Sequence, residues 1–175
     1  AENGLRLDRF YAAASVCSPT RASVLTGRIP NRAAVIDHGF RLRHQEKTLG
    51  PALQSLGYAT AHIGKWHLCG VGQMGVPMLQ EDPFGPNKFG FEHCLSMTNF
   101  YDLDPLMSRN GVFEEFTGDT SDIAVDEAIK YIKAQHEAGK PSLTLVWYPS
   151  PHYPCRALEK DKAHFKDLDI RDVDK

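Results

Sequence analysis

Apolar positions fall along this chain in short runs that switch between alternating and helical spacing. Leu5, Leu7 and the Phe10–Tyr11 pair, set among Arg6, Asp8 and Arg9, predict a short strand or edge segment. A small-residue stretch, Ala12 to Ser15, leads to Cys17 and then to Ser18-Pro19-Thr20-Arg21-Ala22-Ser23-Val24-Leu25-Thr26-Gly27. Pro19 suits a first helical turn, where its missing N–H would be unpaired anyway, and Gly27 suits a stop. A short helix is therefore expected at about 18–26, with Cys17 at its N-terminus.

Thr48 can cap a second helix carrying Leu49, Ala52, Leu53 and Leu56 on one face, with Gly57 to end it. Tyr58 to Ile63 then predicts a strand broken by Gly64. Residues 70–118 are rich in Gly, Pro, Asn and Asp without a sustained period, and predict long loops with short elements. Thr120 to Ala138 is the clearest helix, with Ile123, Ala128, Ile129 and Ile132 as its apolar face and Gly139 and Pro141 as stop signals. Ser142 to Tyr148 is a nearly continuous apolar run, as in a sheet covered on both faces. Helices alternating with buried strands predict an α/β layered fold. In open α/β sheets ligands sit beyond the carboxyl ends of strands. Cys17, Lys65–His67 and His152 each follow a predicted strand.

With 175 residues, a net charge of -2 and 42% hydrophobic residues, the chain can bury the core of one domain. The longest apolar run, Leu143 to Tyr148, stops at Pro149, which excludes a predicted membrane-spanning helix. No charged leader with an apolar centre opens the sequence, so a removed signal or a missing start is expected. Cys17, Cys69, Cys94 and Cys155 are too sparse for a disulfide scaffold and form no CxxC pair. Charge is uneven: residues 1–67 balance at +5 and residues 68–175 at -7. On composition alone this reads first as a solvated surface with uneven charge; an anionic ligand for the basic N-terminal half is the other reading. Nucleic acid is not expected, because the acidic half opposes it and no basic run is interleaved with aromatics.

Cys17 and Arg21, four apart, share a helical face. An oxyanion at that helix N-terminus meets free N–H groups, a partial positive charge and a guanidinium, and the same field depresses a thiol pKa. The competing reading is a small buried thiol beside a surface charge. A cysteine-dependent phosphatase would need an Arg where Ser23 stands. In Gly64-Lys65-Trp66-His67, Lys65 supplies a fixed charge and His67 a group that shuttles protons near neutrality. The glycine spacing and Ser/Thr of a Walker loop are absent. His62, His67 and Cys69 lack a fourth ligand at zinc spacing. His152, between Pro151 and Pro154, sits in a stiffened loop. His38, His44, His93, His136 and His164 have no comparable setting.

Two stretches carry a specific resemblance. Ser15 to Gly27, built on Cys17-Ser18-Pro19-Thr20-Arg21, resembles the first signature of the formylglycine-dependent sulfatases, C-x-P-x-R. Gly57-Tyr58-Ala59-Thr60-Ala61-His62-Ile63-Gly64-Lys65-Trp66-His67 resembles their second, at the right separation. The Ser150–Pro154 loop, and Asn110-Gly111 followed by Asp119-Thr120-Ser121-Asp122 and a helix, are similar to later landmarks of the family. The resemblance implies an alkaline phosphatase-like sheet with helices on both faces, and hydrolysis of sulfate esters. It implies that a formylglycine-generating enzyme oxidises Cys17 to an aldehyde. One hydroxyl of its hydrate attacks sulfur, and deprotonation of the other expels sulfate. Arg21 and Lys65 would bind the sulfate, His67 would be the base, and His152 would contact the sulfate and protonate the leaving alcohol.

The resemblance also implies a Ca2+ (or Mg2+) ion, with Cys17 after oxidation among its ligands. The family's early Asp-Asp pair, late Asp-Asn pair and second active-site lysine are not in the sequence. The expectation is therefore a partial catalytic domain over residues 1–175, incomplete at both ends, binding metal poorly and turning over little by itself. Sulfated carbohydrates are the expected substrates, and a periplasmic, secreted or lysosomal location follows from the family. The alternatives are a phosphonate monoester or phosphodiester hydrolase on the same scaffold, and an inactive module that binds sulfated glycans.

Overall fold

A computed structural model describes residues 3–70, 73, 75–99, 103–153 and 155–168. The helices are α1 (Cys17–Thr26), α2 (Pro30–Ala33), α3 (Leu49–Gln54), α4 (Thr120–Glu137) and α5 (Glu159–Lys162). The strands are β1 (Ala59–Lys65), β2 (His93–Met97), β3 (Leu106–Arg109), β4 (Val112–Glu115) and β5 (Ser142–Trp147). They form one mixed sheet in the order β4-β3-β2-β1-β5. β1 runs parallel to both β2 and β5, pairing Lys65 with Met97 and Gly64 with Trp147, so three carboxyl ends meet at one rim. β3 joins antiparallel to β2, and β4 antiparallel to β3.

The sheet is covered on both faces, as a central strand buried at all seven positions requires. On one face Ala22 and Leu25 of α1 pack with Leu42, Trp66, Phe89 and Phe91. On the other, Ala124 and Ala128 of α4 pack on Ile63, Leu95, Met97 and Met107. Each large side chain fully buried in this way contributes about 1.5–3 kcal/mol. β5 serves both faces: Leu143, Leu145 and Trp147 lean on the first cluster and Val146 on the second.

The α/β layered reading holds, and so do the helices beginning at Cys17, Leu49 and Thr120, the strand at 142–147 and the short elements expected within 70–118. Four local expectations do not. Residues 5–11 form no strand; Leu5, Phe10 and Tyr11 are exposed, because their alternation finds no neighbouring strand to pair with. The apolar face of α4 is Ala124 and Ala128 with half-buried Ile123, whereas Ile129 and Ile132 are exposed. The Thr48 hydroxyl does not cap α3 but donates to Phe89 O at 3.2 Å. Gly64 does not break the strand expected at 58–63, since β1 runs on through it to Lys65; the short elements within 70–118 are β2, β3 and β4, with Asn110-Gly111, at φ of 50° and 94°, as the tight turn between the last two.

Candidate active site

The site is assembled at the carboxyl rim of β1. Gly64 makes the approach possible. Its φ is +102°, and a Cβ there would lie 2.1 Å from Trp147 O, so only glycine lets β1 and β5 close this tightly. Lys65 is the last residue of β1 and is buried. Beyond it the backbone is tied to the β2 side, with Trp66 N–H donating to Met97 O at 2.9 Å and His67 N–H to Thr98 O at 2.7 Å. His67 takes a positive φ of 52°, which turns its ring away from the strand direction.

α1 starts at Cys17, and no side chain caps its first turn, which leaves amide donors free at that end. Lys65 Nζ donates to Cys17 Sγ at 3.3 Å. One turn along, Arg21 Nη1 donates to Lys65 O at 2.7 Å, and its guanidinium lies 4.7 Å from the Trp147 ring centroid. Burial pushes the Arg21 pKa down to about 10, with Cys17 opposing, so the group stays charged at neutral pH. Burial and the Arg21 charge also lower the Lys65 pKa, which Cys17 raises. Ser18 fixes α1 to the strand end. Its buried hydroxyl donates to His67 O at 2.6 Å and accepts from Gly39 N–H at 2.9 Å.

His67 is almost fully buried, and among the described residues neither ring nitrogen has a hydrogen-bond partner; Arg21 Nε is in the same position. Such groups lose hydration without replacement, and a polar ligand would recover that loss. Burial first, then Lys65, Arg21, His38 and His152, push the His67 pKa down to about 3. The ring is neutral at pH 7 and can accept a proton. His152 belongs to the same electrostatic group, with its Nδ1 2.8 Å from Tyr153 O in a half-exposed loop after a cis Ser150–Pro151 bond.

The structure therefore brings Cys17, Arg21, Lys65 and His67 together and sets His152 at their edge. The expected placement of Cys17 behind a strand is corrected: what precedes it is the irregular 3–16 segment. Sequence reading missed His38, whose ring stacks over His67 at 6.4 Å between centroids, and Trp147, the platform beneath Arg21. Neither carries a local signal, since both meet the site through long-range contacts. His62, considered for zinc, is sealed in the core against Trp66, Phe91 and Trp147, and its Nδ1 lies 2.7 Å from Ser96 Oγ.

Ca2+ and Mg2+ require several oxygen ligands. Among the described residues no three His, Cys, Asp or Glu side chains form a group able to hold a metal ion. The neighbours of Cys17 supply an ammonium and a guanidinium. This set alone does not fit a dication.

The arrangement suits a tetrahedral oxyanion: two cations and a helix N-terminus converge on Cys17, and a neutral imidazole stands close by. Comparisons with known proteins agree. A family model described as Sulfatase matches residues 1–172. Arylsulfatase G of Canis lupus familiaris is 40% identical over 109 residues, covering 59% of this chain and 18% of the relative. N-acetylglucosamine-6-O-sulfatase of Bacteroides thetaiotaomicron is 28% identical over 158 residues, covering 87% of this chain and 25% of the relative. The chain thus spans a quarter or less of the length of these two relatives. A solved structure of a protein in complex with its substrate D-glucosamine-2-N,6-O-disulfate aligns with a TM-score of 0.73 and 25% identity, over 92% of this chain and 30% of that one. Another, in complex with a neocarrahexaose, has a TM-score of 0.75 at 22% identity, over 92% of this chain and 40% of that one, and supports the fold alone.

Proposed function

This chain belongs to the sulfatase family, and on that premise we propose that it carries the sulfate-binding and nucleophile-bearing part of a sulfuric ester hydrolase acting on sulfated carbohydrates. The observation that supports this most is the 3.3 Å approach of Lys65 Nζ to Cys17 Sγ, with Arg21 one turn along the same helix. Oxidised by a formylglycine-generating enzyme, the Cys17 position supplies a hydrated aldehyde whose two hydroxyls allow sulfate to be taken up and then expelled.

The protein's own groups divide the work. Arg21, braced by Trp147 and by Lys65 O, presents a fixed fork to the sulfate oxygens. Lys65 holds positive charge beside the oxygen that replaces Sγ, which favours its deprotonated form. His67, neutral because burial and four cationic or ionisable neighbours disfavour its protonated form, takes up a proton at a free ring nitrogen. His152, in a half-exposed loop and within electrostatic reach of His67, is assigned to protonate the leaving alcohol. Export to a periplasmic, extracellular or lysosomal compartment is part of the same reading. Among the described residues no helix is long and apolar enough to cross a membrane.

The test is mass spectrometry of the Cys17 peptide after co-expression with a formylglycine-generating enzyme, with paired assays on an aryl sulfate and an aryl phosphonate. An aldehyde at position 17 and preference for the sulfate are expected. Preference for the phosphonate would transfer the site to the sister hydrolase class. An unmodified thiol in a protein that binds sulfated glycans tightly would make it a binding module.

A further inference from the structure

Beyond His38 and Gly39 the chain walls a cleft whose lining includes none of Cys17, Arg21, Lys65 and His67. Gly39, Phe40, Arg41 and Arg43, with Gly70 and Phe84, line this shallow open cleft of about 550 Å³. Leu42 fixes this wall: it is fully buried, and its N–H donates to Leu68 O at 3.0 Å, just past the turn that carries His67. Arg41 and Arg43, on either side of Leu42, are exposed. The Arg41 guanidinium lies 5.1 Å from the Phe84 ring centroid. Gly70 leaves that side chain its room, since a Cβ there would fall 2.5 Å from Arg41 Nε.

Among the described residues neither Arg41 nor Arg43 has a carboxylate partner, whereas Arg28 is paired with Glu46, and Arg109 with Glu114 and Glu127. Two unpaired guanidiniums beside Phe40 and Phe84 match a ligand that combines a ring face with anionic groups. The link to the reaction site is direct: Gly39, a wall of the cleft, donates its N–H to the Ser18 hydroxyl that holds His67 O.

We infer that this cleft is a second anion subsite, taking a sulfate or carboxylate on the sugar next to the one whose ester is cleaved. The preferred ligand is then a polyanionic glycan chain, not a single sulfated ring. This rests on the sulfate-binding reading of the Cys17 pocket. It explains where the positive charge of the N-terminal part of the sequence is used.

Binding decides the matter, without turnover. Calorimetric titration compares a heparin-derived tetrasaccharide with glucosamine 6-sulfate on the parent chain, on Arg41→Gln/Arg43→Gln, and on Lys133→Gln/Lys140→Gln, an equal charge change at exposed positions outside the cleft. The cleft pair should weaken tetrasaccharide binding by about 10- to 100-fold, roughly tenfold per lost charge-assisted contact. It should leave the monosaccharide within about twofold, and the Lys133/Lys140 variant should change neither beyond that. Because Arg41 packs on Phe84, Arg43→Gln alone is included, with about a tenfold loss expected. Unchanged tetrasaccharide affinity in the cleft variants, or an equal loss in the Lys133/Lys140 variant, overturns the subsite. A Cys17 that never becomes an aldehyde counts against the hydrolase chemistry and leaves this comparison of affinities intact.

Discussion

Arg21 is held from three directions: the Trp147 ring below it, Lys65 O at its Nη1, and the helix that also carries Cys17. A planar fork fits that seat and an ammonium does not. Arg21→Lys should lower kcat/KM for an aryl sulfate by about 10²–10³-fold, the effect of one lost oxyanion donor; steady-state kinetics on the aldehyde-bearing protein checks it, and a loss under tenfold would demote the residue to a structural role. Ser18→Ala removes a buried hydroxyl that both donates and accepts. It should cost about 1–3 kcal/mol in urea unfolding, because His67 O and Gly39 N–H are left to find other partners. At this scale the sequence was informative where spacing does the positioning. Cys17 and Arg21 lie one helical turn apart, and Lys65 and His67 straddle a strand end. His38 and Trp147 were illegible because nothing near them in the chain points to their partners.

Among the elements, β1 carries the most constraint. It is buried throughout, pairs with two parallel neighbours, and ends at the site. Gly64→Ala places a methyl against Trp147 O in a backbone conformation unfavourable to side chains, and should destabilise the chain by about 3 kcal/mol or more, or leave it insoluble. Denaturant unfolding measures this; a loss below about 1 kcal/mol would mean that β5 moves aside at little cost. Helices α1 and α4 were legible from their stop signals, whereas the cap of α4, the Asp119 side chain that accepts from Ser121 N–H, was not read. The strands β2, β3 and β4 were not, because four or five residues of mixed polarity hold no readable period. The opposite error at residues 5–11 has the same origin, since alternation makes a strand only when a partner edge is present.

For the whole molecule, histidines with depressed pKa values set the response to acid, His62 and His67 foremost and His93, lowered by burial and Arg109, beside them. Burial pushes His62 down to about 3, with Arg21 adding to the effect, and burial with the surrounding cations does the same for His67. Both are neutral in the fold, while in the unfolded chain they protonate near the ordinary value of 6.5. Their contribution to stability is complete above about pH 6.5 and is lost as pH falls toward 3. Each proton bound only by the unfolded chain shifts stability by about 1.4 kcal/mol per pH unit. Urea midpoints should therefore fall between pH 7.5 and pH 5, above the carboxylate range, and His62→Gln should flatten that slope. Equal parental midpoints at the two pH values would mean that one or both rings take up protons within the fold.

Ser18 Oγ touches two segments far apart in the chain, the loop at Gly39 and the turn at His67, from a third, the first turn of α1. On the proposed reading of the cleft, reshaping that loop for another glycan disturbs the hydroxyl that holds the backbone of His67. Specificity and rate would then be coupled through one oxygen atom.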